Sequence, residues 1–137
     1  MILVDTSVLI DLFKGSDNDA VRSLRDAIHQ QIPFGISSII YQEILQGAKT
    51  GKEYKILQEY LSTQRFFNPK DHLLSYSDAA DIYYKCRKKG ITIRSTVDCL
   101  IAQTALDHDL YLLHNDKDFF AMKTVIDFRI YKGSYGR

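Results

Sequence analysis

Four acids stand where a carboxylate is costly unless something answers its charge. Asp5 ends the apolar run Ile2-Leu3-Val4 and is followed by two hydroxyls, Thr6 and Ser7. Asp116 follows the apolar run Leu110–Leu113 after His114 and Asn115. Glu43 lies within Ile39–Gly47, where about 100° per residue places it on one helical face with Ile40, Ile44 and Gly47. Asp98 shares a face with Ile101, Ala102 and Ala105. An ionised carboxylate on a buried face is expensive unless it is paired or bound to a cation. If the four converge, they make an oxygen-only pocket. No Cys/His set accompanies them, which argues against zinc and for Mg²⁺ or Mn²⁺. The natural chemistry of such a site is phosphodiester hydrolysis, in which a bound cation activates water and clamps the phosphate.

Each acid also has a purely structural explanation. Asp5 and Asp116 can cap the helices that follow them, with Asp118 as a first-turn acid favoured by the helix dipole. Ser95-Thr96-Val97-Asp98 has capping-box spacing. Glu43 can pair with an arginine from elsewhere. All four explanations holding together would be a coincidence of position.

The elements that must place these acids alternate between strand and helix, which predicts an α/β fold. Ile2–Val4 cannot alternate faces, so it reads as a strand covered on both sides, as in a parallel sheet. Strands are expected at 2–5, 34–36, around Phe66-Phe67, at 110–113 and at 125–130. Helices are expected at 7–14, at 17–30 (capped by Ser16 or Asp17), from Ser37 or Ser38 to about Gly47, and at 51–63. Further helices are expected at 76–89 (ended by Gly90), 96–108 and 116–122. In open α/β sheets, ligands bind at the carboxyl ends of strands, where Asp5 and Asp116 fall. Gly47 and the two alanines predict closely approaching helices.

The 137 residues suit one domain, with residues 132–137 expected as a loose tail. Hydrophobic content of 45% and charged content of 26% are those of an ordinary globular chain. The sequence has no membrane-length apolar stretch and no signal-peptide pattern. Cys86 and Cys99 lack metal or redox spacing and read as reduced thiols, so a cytoplasmic location is expected. The net charge of +1 hides an uneven distribution. No acid lies between Ile82 and Val97, whereas Lys85, Arg87, Lys88, Lys89 and Arg94 do. That stretch is either a solvated helix end or a place for phosphates beside an acidic site.

These residues resemble those of PIN-domain nucleases, and in particular VapC-like toxins of type II toxin–antitoxin systems. The likeness rests on Ile2 to Asp11, Ser37 to Gly47, Asp98 to Ala105 and Asn115 to Phe119, in that order and across nearly the whole chain. The resemblance implies a three-layer α/β/α fold with a central parallel sheet of four or five strands. It implies Asp5, Glu43, Asp98 and Asp116 as metal-binding and catalytic acids, with Asp118 and Thr6 in support. It also implies an RNA substrate, a homodimer and a small VapB-like antitoxin whose end enters the acidic groove. Tyr41, Tyr54, Tyr60, Tyr83 and Tyr84 lie on the helices where such contacts would fall, or else are ordinary packing. Lys85, Lys88, Lys89, Arg94 and Lys117 become candidate RNA-phosphate contacts. His114 departs from the pattern, since relatives often carry a small hydroxyl residue there. It reads either as a strand-end histidine or as a contact to phosphate or a metal-bound water.

Three other readings compete. A housekeeping PIN ribonuclease in RNA processing differs in biological role rather than chemistry. A Mg²⁺-binding phospho-receiver would pair acids after the first strand, whereas Thr6 and Ser7 follow Asp5. A binding-only PIN scaffold is disfavoured by the presence of all four acids.

Overall fold

The computed structural model describes residues 1–133. Strands β1 (Ile2–Val4), β2 (Phe34–Ile36), β3 (Arg65–Phe66), β4 (Tyr111–Leu113) and β5 (Arg129–Ile130) form one sheet. Its order is β3-β2-β1-β4-β5 and every pairing is parallel. Among the described residues, seven helices flank it: α1 (Thr6–Phe13), α2 (Asp19–His29), α3 (Ser38–Gln46), α4 (Gly51–Leu61), α5 (Leu74–Lys88), α6 (Thr96–Asp107) and α7 (Lys117–Lys123). Right-handed crossovers put α1–α4 on one face and α5–α7 on the other. Helix packing follows those two groups: α1 against α2 and α3, α3 against α4, α5 against α6, and α6 against α7. This is the expected three-layer arrangement.

The sheet forms because its central strands are apolar on both faces. All of β1 is buried, as are Ile36, Leu112 and Leu113. From β1 the chain moves outward to β2 and β3, then returns across the sheet to β4 on the other side of β1. The gap between β1 and β4 is therefore the point where chain direction reverses, and it opens a crevice at the strands' carboxyl ends. The β1–β4 ladder runs one residue past β1, where the Asp5 N–H donates to the Leu113 carbonyl at 2.9 Å. That bond fixes Asp5 beside the segment leading to Asp116.

Gly35 shows how tightly the sheet is covered. A Cβ at this position would lie 2.5 Å from the Arg65 carbonyl oxygen and 2.8 Å from the Phe67 ring. Gly90 ends α5 in the left-handed region (φ +76°), as its place in the sequence predicts.

Several expectations are corrected. The cap of α2 is Asn18, whose side chain accepts from the Val21 N–H, rather than Ser16 or Asp17. The last strand is only Arg129–Ile130: 125–128 reads as strand by composition, but Val125 and Ile126 donate to the Met122 carbonyl and close the end of α7. Gly47 is exposed at the end of α3, where a Cβ would meet only carbonyls of its own helix among the described residues, whereas Ala102 and Ala105 are buried as expected. Lys132, expected in the loose tail, has its carbonyl bonded by Ser23 Oγ at 3.0 Å, and residues 134–137 lie outside the described residues.

Candidate metal centre

Three helix N-termini and one helix flank bring acids to the β1–β4 crevice. Asp5 caps α1: its Oδ2 accepts from the Ser7 N–H at 3.1 Å and from Ser7 Oγ at 2.6 Å. Asp116 caps α7 through Oδ1, which accepts from the Asp118 N–H at 2.9 Å. Asp98 sits in the first turn of α6, whose cap is Ser95. The positive ends of these helices favour carboxylates. Glu43 reaches in from α3, where Thr6 Oγ1 donates to its Oε1 at 2.8 Å.

Capping and convergence thus coexist. Asp5 and Asp116 do the structural work foreseen for them and still lie at the crevice. Asp98 does not complete a capping box, since its carboxylate accepts no hydrogen bond among the described residues. Among those residues Glu43 has no arginine partner; its bond comes from Thr6.

One carboxylate oxygen from each of Asp98, Asp116 and Asp118 falls within 4.8 Å of the others. A cavity of about 300 Å³ opens over them, lined by Glu43, Arg94, Ser95, Asp98, Asp116 and Asp118. Asp5, 3% exposed, lies under this cavity rather than in its wall. Its presence is felt electrostatically. Burial, then the charges of Asp5, Asp116, Asp118 and Glu43, push the Asp98 carboxyl up to about 7. Burial, partly offset by the Ser7 hydrogen bonds, raises Asp5 to about 6, with Glu43 adding to the rise. The five acids therefore share one electrostatic field.

The surrounding polar groups brace this arrangement. Ser7 Oγ donates to Asp5 and accepts from the Asn115 N–H at 3.0 Å, joining the β1 and β4 ends. Asp11 accepts from Asn115 Nδ2 at 2.8 Å and from Asn18 Nδ2 at 3.1 Å. Ser7, Asp11 and Asn115 were not singled out from the sequence as site residues. The only signal was that they lie inside the two motifs carrying Asp5 and Asp116.

The candidate basic residues divide. Arg94 lies in the cavity wall, with Nε 3.1 Å from Asp118 Oδ2 and Nη2 3.1 Å from Asp116 Oδ1. Its hydrogen bond to Asp118, then the charges of Asp118 and Asp116, raise the arginine's own pKa. Lys117 is exposed at the start of α7. Lys85, Lys88 and Lys89 lie at the end of α5, just before the short loop that leads to Asp98. Lys85 is paired with Asp81 at 2.8 Å, and Lys88 stands 5.5 Å from the Tyr84 ring centroid.

His114 is neither exposed nor in the cavity wall over the acids. It is 6% exposed and packed on Phe119 and Phe120, with ring centroids 4.9 and 4.6 Å away. Its Nδ1 accepts from the Asp116 N–H at 3.2 Å, which leaves the proton on Nε2, a buried atom with no partner among the described residues. Burial lowers its pKa to about 4, so it is a neutral packing residue at ordinary pH. Cys86 and Cys99 are buried and free, with the Cys99 thiol pushed up to about 12 by burial.

Residues 2–124 match the PIN domain family model. The chain belongs to the PIN-domain family. Among its relatives are ribonuclease VapC11 of Mycobacterium tuberculosis and VapC ribonuclease Mb1587 of Mycobacterium bovis. Each is 32% identical over 120 residues, covering 87% of this chain and 89% of the relative. VapBC-1 from nontypeable Haemophilus influenzae shares the PIN fold with a TM-score of 0.74 at 20% identity, covering 96% of this chain and 98% of that one. A toxin–antitoxin complex from Klebsiella pneumoniae aligns with a TM-score of 0.61 at 28% identity, covering 95% and 100%. Among the described residues, no helix of this PIN chain is long and apolar enough to cross a membrane.

Proposed function

We propose that this chain is a single-domain PIN endoribonuclease, the toxin of a cytoplasmic toxin–antitoxin pair, which hydrolyses RNA phosphodiesters with Mg²⁺ or Mn²⁺. The observation that carries this reading is the convergence of Asp5, Glu43, Asp98, Asp116 and Asp118 at the β1–β4 crevice. The ribonuclease activity is that of the relatives' names, at 32% identity across most of both chains.

The residues present fit a hard divalent cation. The donor set is oxygen-only, and the Asp98 carboxylate is crowded by like charge without any hydrogen bond to relieve it. Asp5, Glu43, Asp98 and Asp116 would hold the cation. When bound there, it supplies a water of lowered pKa and positive charge for the phosphate.

The protein's own groups do the rest. Thr6 fixes the Glu43 carboxylate, and Ser7 fixes Asp5, so both acids are oriented before any ligand arrives. Arg94 stands at the cavity edge with guanidinium N–H groups to spare for a phosphate. Lys117 and the α5 end, with Lys85, Lys88 and Lys89, extend positive charge away from it for the flanking backbone.

A groove of about 410 Å³ between α1, α3 and α4, lined by Ile10, Phe13, Ile44 and Leu57 together with Lys14, Lys49 and Glu53, suits an amphipathic segment of a VapB-like antitoxin. Tyr54 and Tyr60 are exposed on the same helix, α4. Leu73, Leu74 and Tyr76 on the other face are exposed and suit a homodimer contact.

The test is cleavage of a labelled RNA in Mn²⁺ or Mg²⁺. EDTA should abolish it, and Asp5→Asn should remove both cleavage and growth inhibition. Unchanged cleavage by metal-stripped protein rejects the reading. Co-expression of a short adjacent reading frame should restore growth.

A further inference from the structure

Arg94 gives three donors to the acidic cluster, and they are not equivalent. Its backbone N–H and its Nε both fall on Asp118 Oδ2, each at 3.1 Å, while Nη2 alone falls on Asp116 Oδ1. The Asp118 side chain is 6% exposed and that of Asp116 is 24% exposed, whereas Arg94's is 60% exposed. Asp118 is thus a buried carboxylate committed through one oxygen to a single residue, at two points along it. Because a guanidinium is planar and rigid, this double attachment fixes the side chain as far as Nε and with it the direction in which the Nη groups point. A guanidinium has five N–H donors, and side-chain contacts here use only Nε and one on Nη2.

We propose that Asp118 is a positioning residue for Arg94. It holds the arginine by Nε and main chain beside the cation site, so that Nη2 neutralises Asp116 in the metal-free protein. Nη2 gives up that carboxylate to a divalent cation, and the still-tethered guanidinium then receives an RNA phosphate. This rests on the ribonuclease reading of the same site. It assigns Asp118, one of the three acids nearest one another, to the arginine rather than to the cation. It also gives Asp116 and Asp118 a counter-ion within the chain and leaves Asp98, which Arg94 does not reach, as the carboxylate with most to gain from a cation.

The experiment follows the Arg94 Nε–H signal of ¹⁵N-labelled protein by NMR, with Mg²⁺ as the titrant, alongside kinetics on an RNA oligonucleotide. In metal-free wild type the Nε–H should exchange slowly, and in Asp118→Asn it should exchange freely. Saturating Mg²⁺ should shift the Asp98 and Asp116 amides and leave the Nε–H protected. Arg94→Gln should raise KM for RNA about tenfold, the size expected for loss of a charge-assisted bond. It should also leave Mn²⁺ affinity, measured by calorimetry, equal or tighter. Asp118→Asn should raise KM similarly and add nothing in the Arg94→Gln background. Loss of Nε–H protection on adding Mg²⁺, or a full further penalty from Asp118→Asn in that background, overturns the assignment. Failure of wild type to bind Mg²⁺ or cut RNA would reject the ribonuclease reading instead. The metal-free NMR comparison would still decide whether Asp118 holds Arg94.

Discussion

Replacing a site acid by its amide should make the metal-free protein more stable. Asp98 is the sharpest case, because its carboxyl is lifted from 3.8 to about 7, first by burial and then by four neighbouring carboxylates. A lift of that size corresponds to roughly 4 kcal/mol against the ionised form in the fold. Asp98 is partly exposed, so solvent screening reduces the cost to about 2 kcal/mol. The sign follows from proton linkage. Between pH 3.8 and 7 the folded chain keeps a proton that the unfolded chain has lost, so rising pH destabilises the fold until the penalty is complete above pH 7. Asp98→Asn removes the penalty. In EDTA at pH 8 its melting temperature should exceed that of wild type by about 7 °C, at roughly 3–4 °C per kcal/mol for a chain of this length. The advantage should shrink to about a third at pH 5 and vanish near pH 4. Saturating Mn²⁺ should reverse the order, since only wild type gains from binding, by about 2.7 kcal/mol at a hundred times Kd. A variant no more stable than wild type at pH 8, or an advantage independent of pH, refutes the reasoning.

Thr6→Val keeps the side-chain volume but removes the donor to Glu43. RNA cleavage should fall about tenfold or more, the worth of a hydrogen bond to a charged group, while the melting temperature moves little. His114 has a folded pKa near 4 against an ordinary 6.5, so the unfolded chain takes the proton first. Its contribution, about 3 kcal/mol, is present above pH 6.5 and is lost as pH falls toward 4. Relative to wild type, His114→Phe should therefore gain stability across that window in denaturant titrations. A constant difference would show that the histidine does not titrate there. Gly35→Ala should cost about 1–3 kcal/mol, because the new Cβ meets a strand carbonyl that cannot move freely. An unchanged urea midpoint would contradict that packing.

Much of this protein was legible in its sequence because the signals are local. The apolar runs at Ile2–Val4 and Leu110–Leu113 and the caps at Ser37 and Ser95 mark the elements. The acids stand out because carboxylates are rare on apolar faces. Local signals also misled. Val125–Phe128 has strand composition, but its backbone is drawn into the end of α7, and Asn18 takes a cap that Ser16 or Asp17 could have filled. The same sequence is compatible with a capping or a site role for Asp5 and Asp116, and the structure gives both placements at once.

Sequence alone determined which residues are acidic, where most of the strands and helices lie, and that the sheet is parallel, since these follow from periodicity and side-chain chemistry within a few residues. Only the tertiary structure decided what meets what. It set β4 beside β1, brought the acids to one crevice and buried His114 between two phenylalanines. It also gave Arg94 to Asp118 and Asp116, more than twenty residues away. Those pairings depend on crossover handedness and core packing, and no spacing along the chain encodes them.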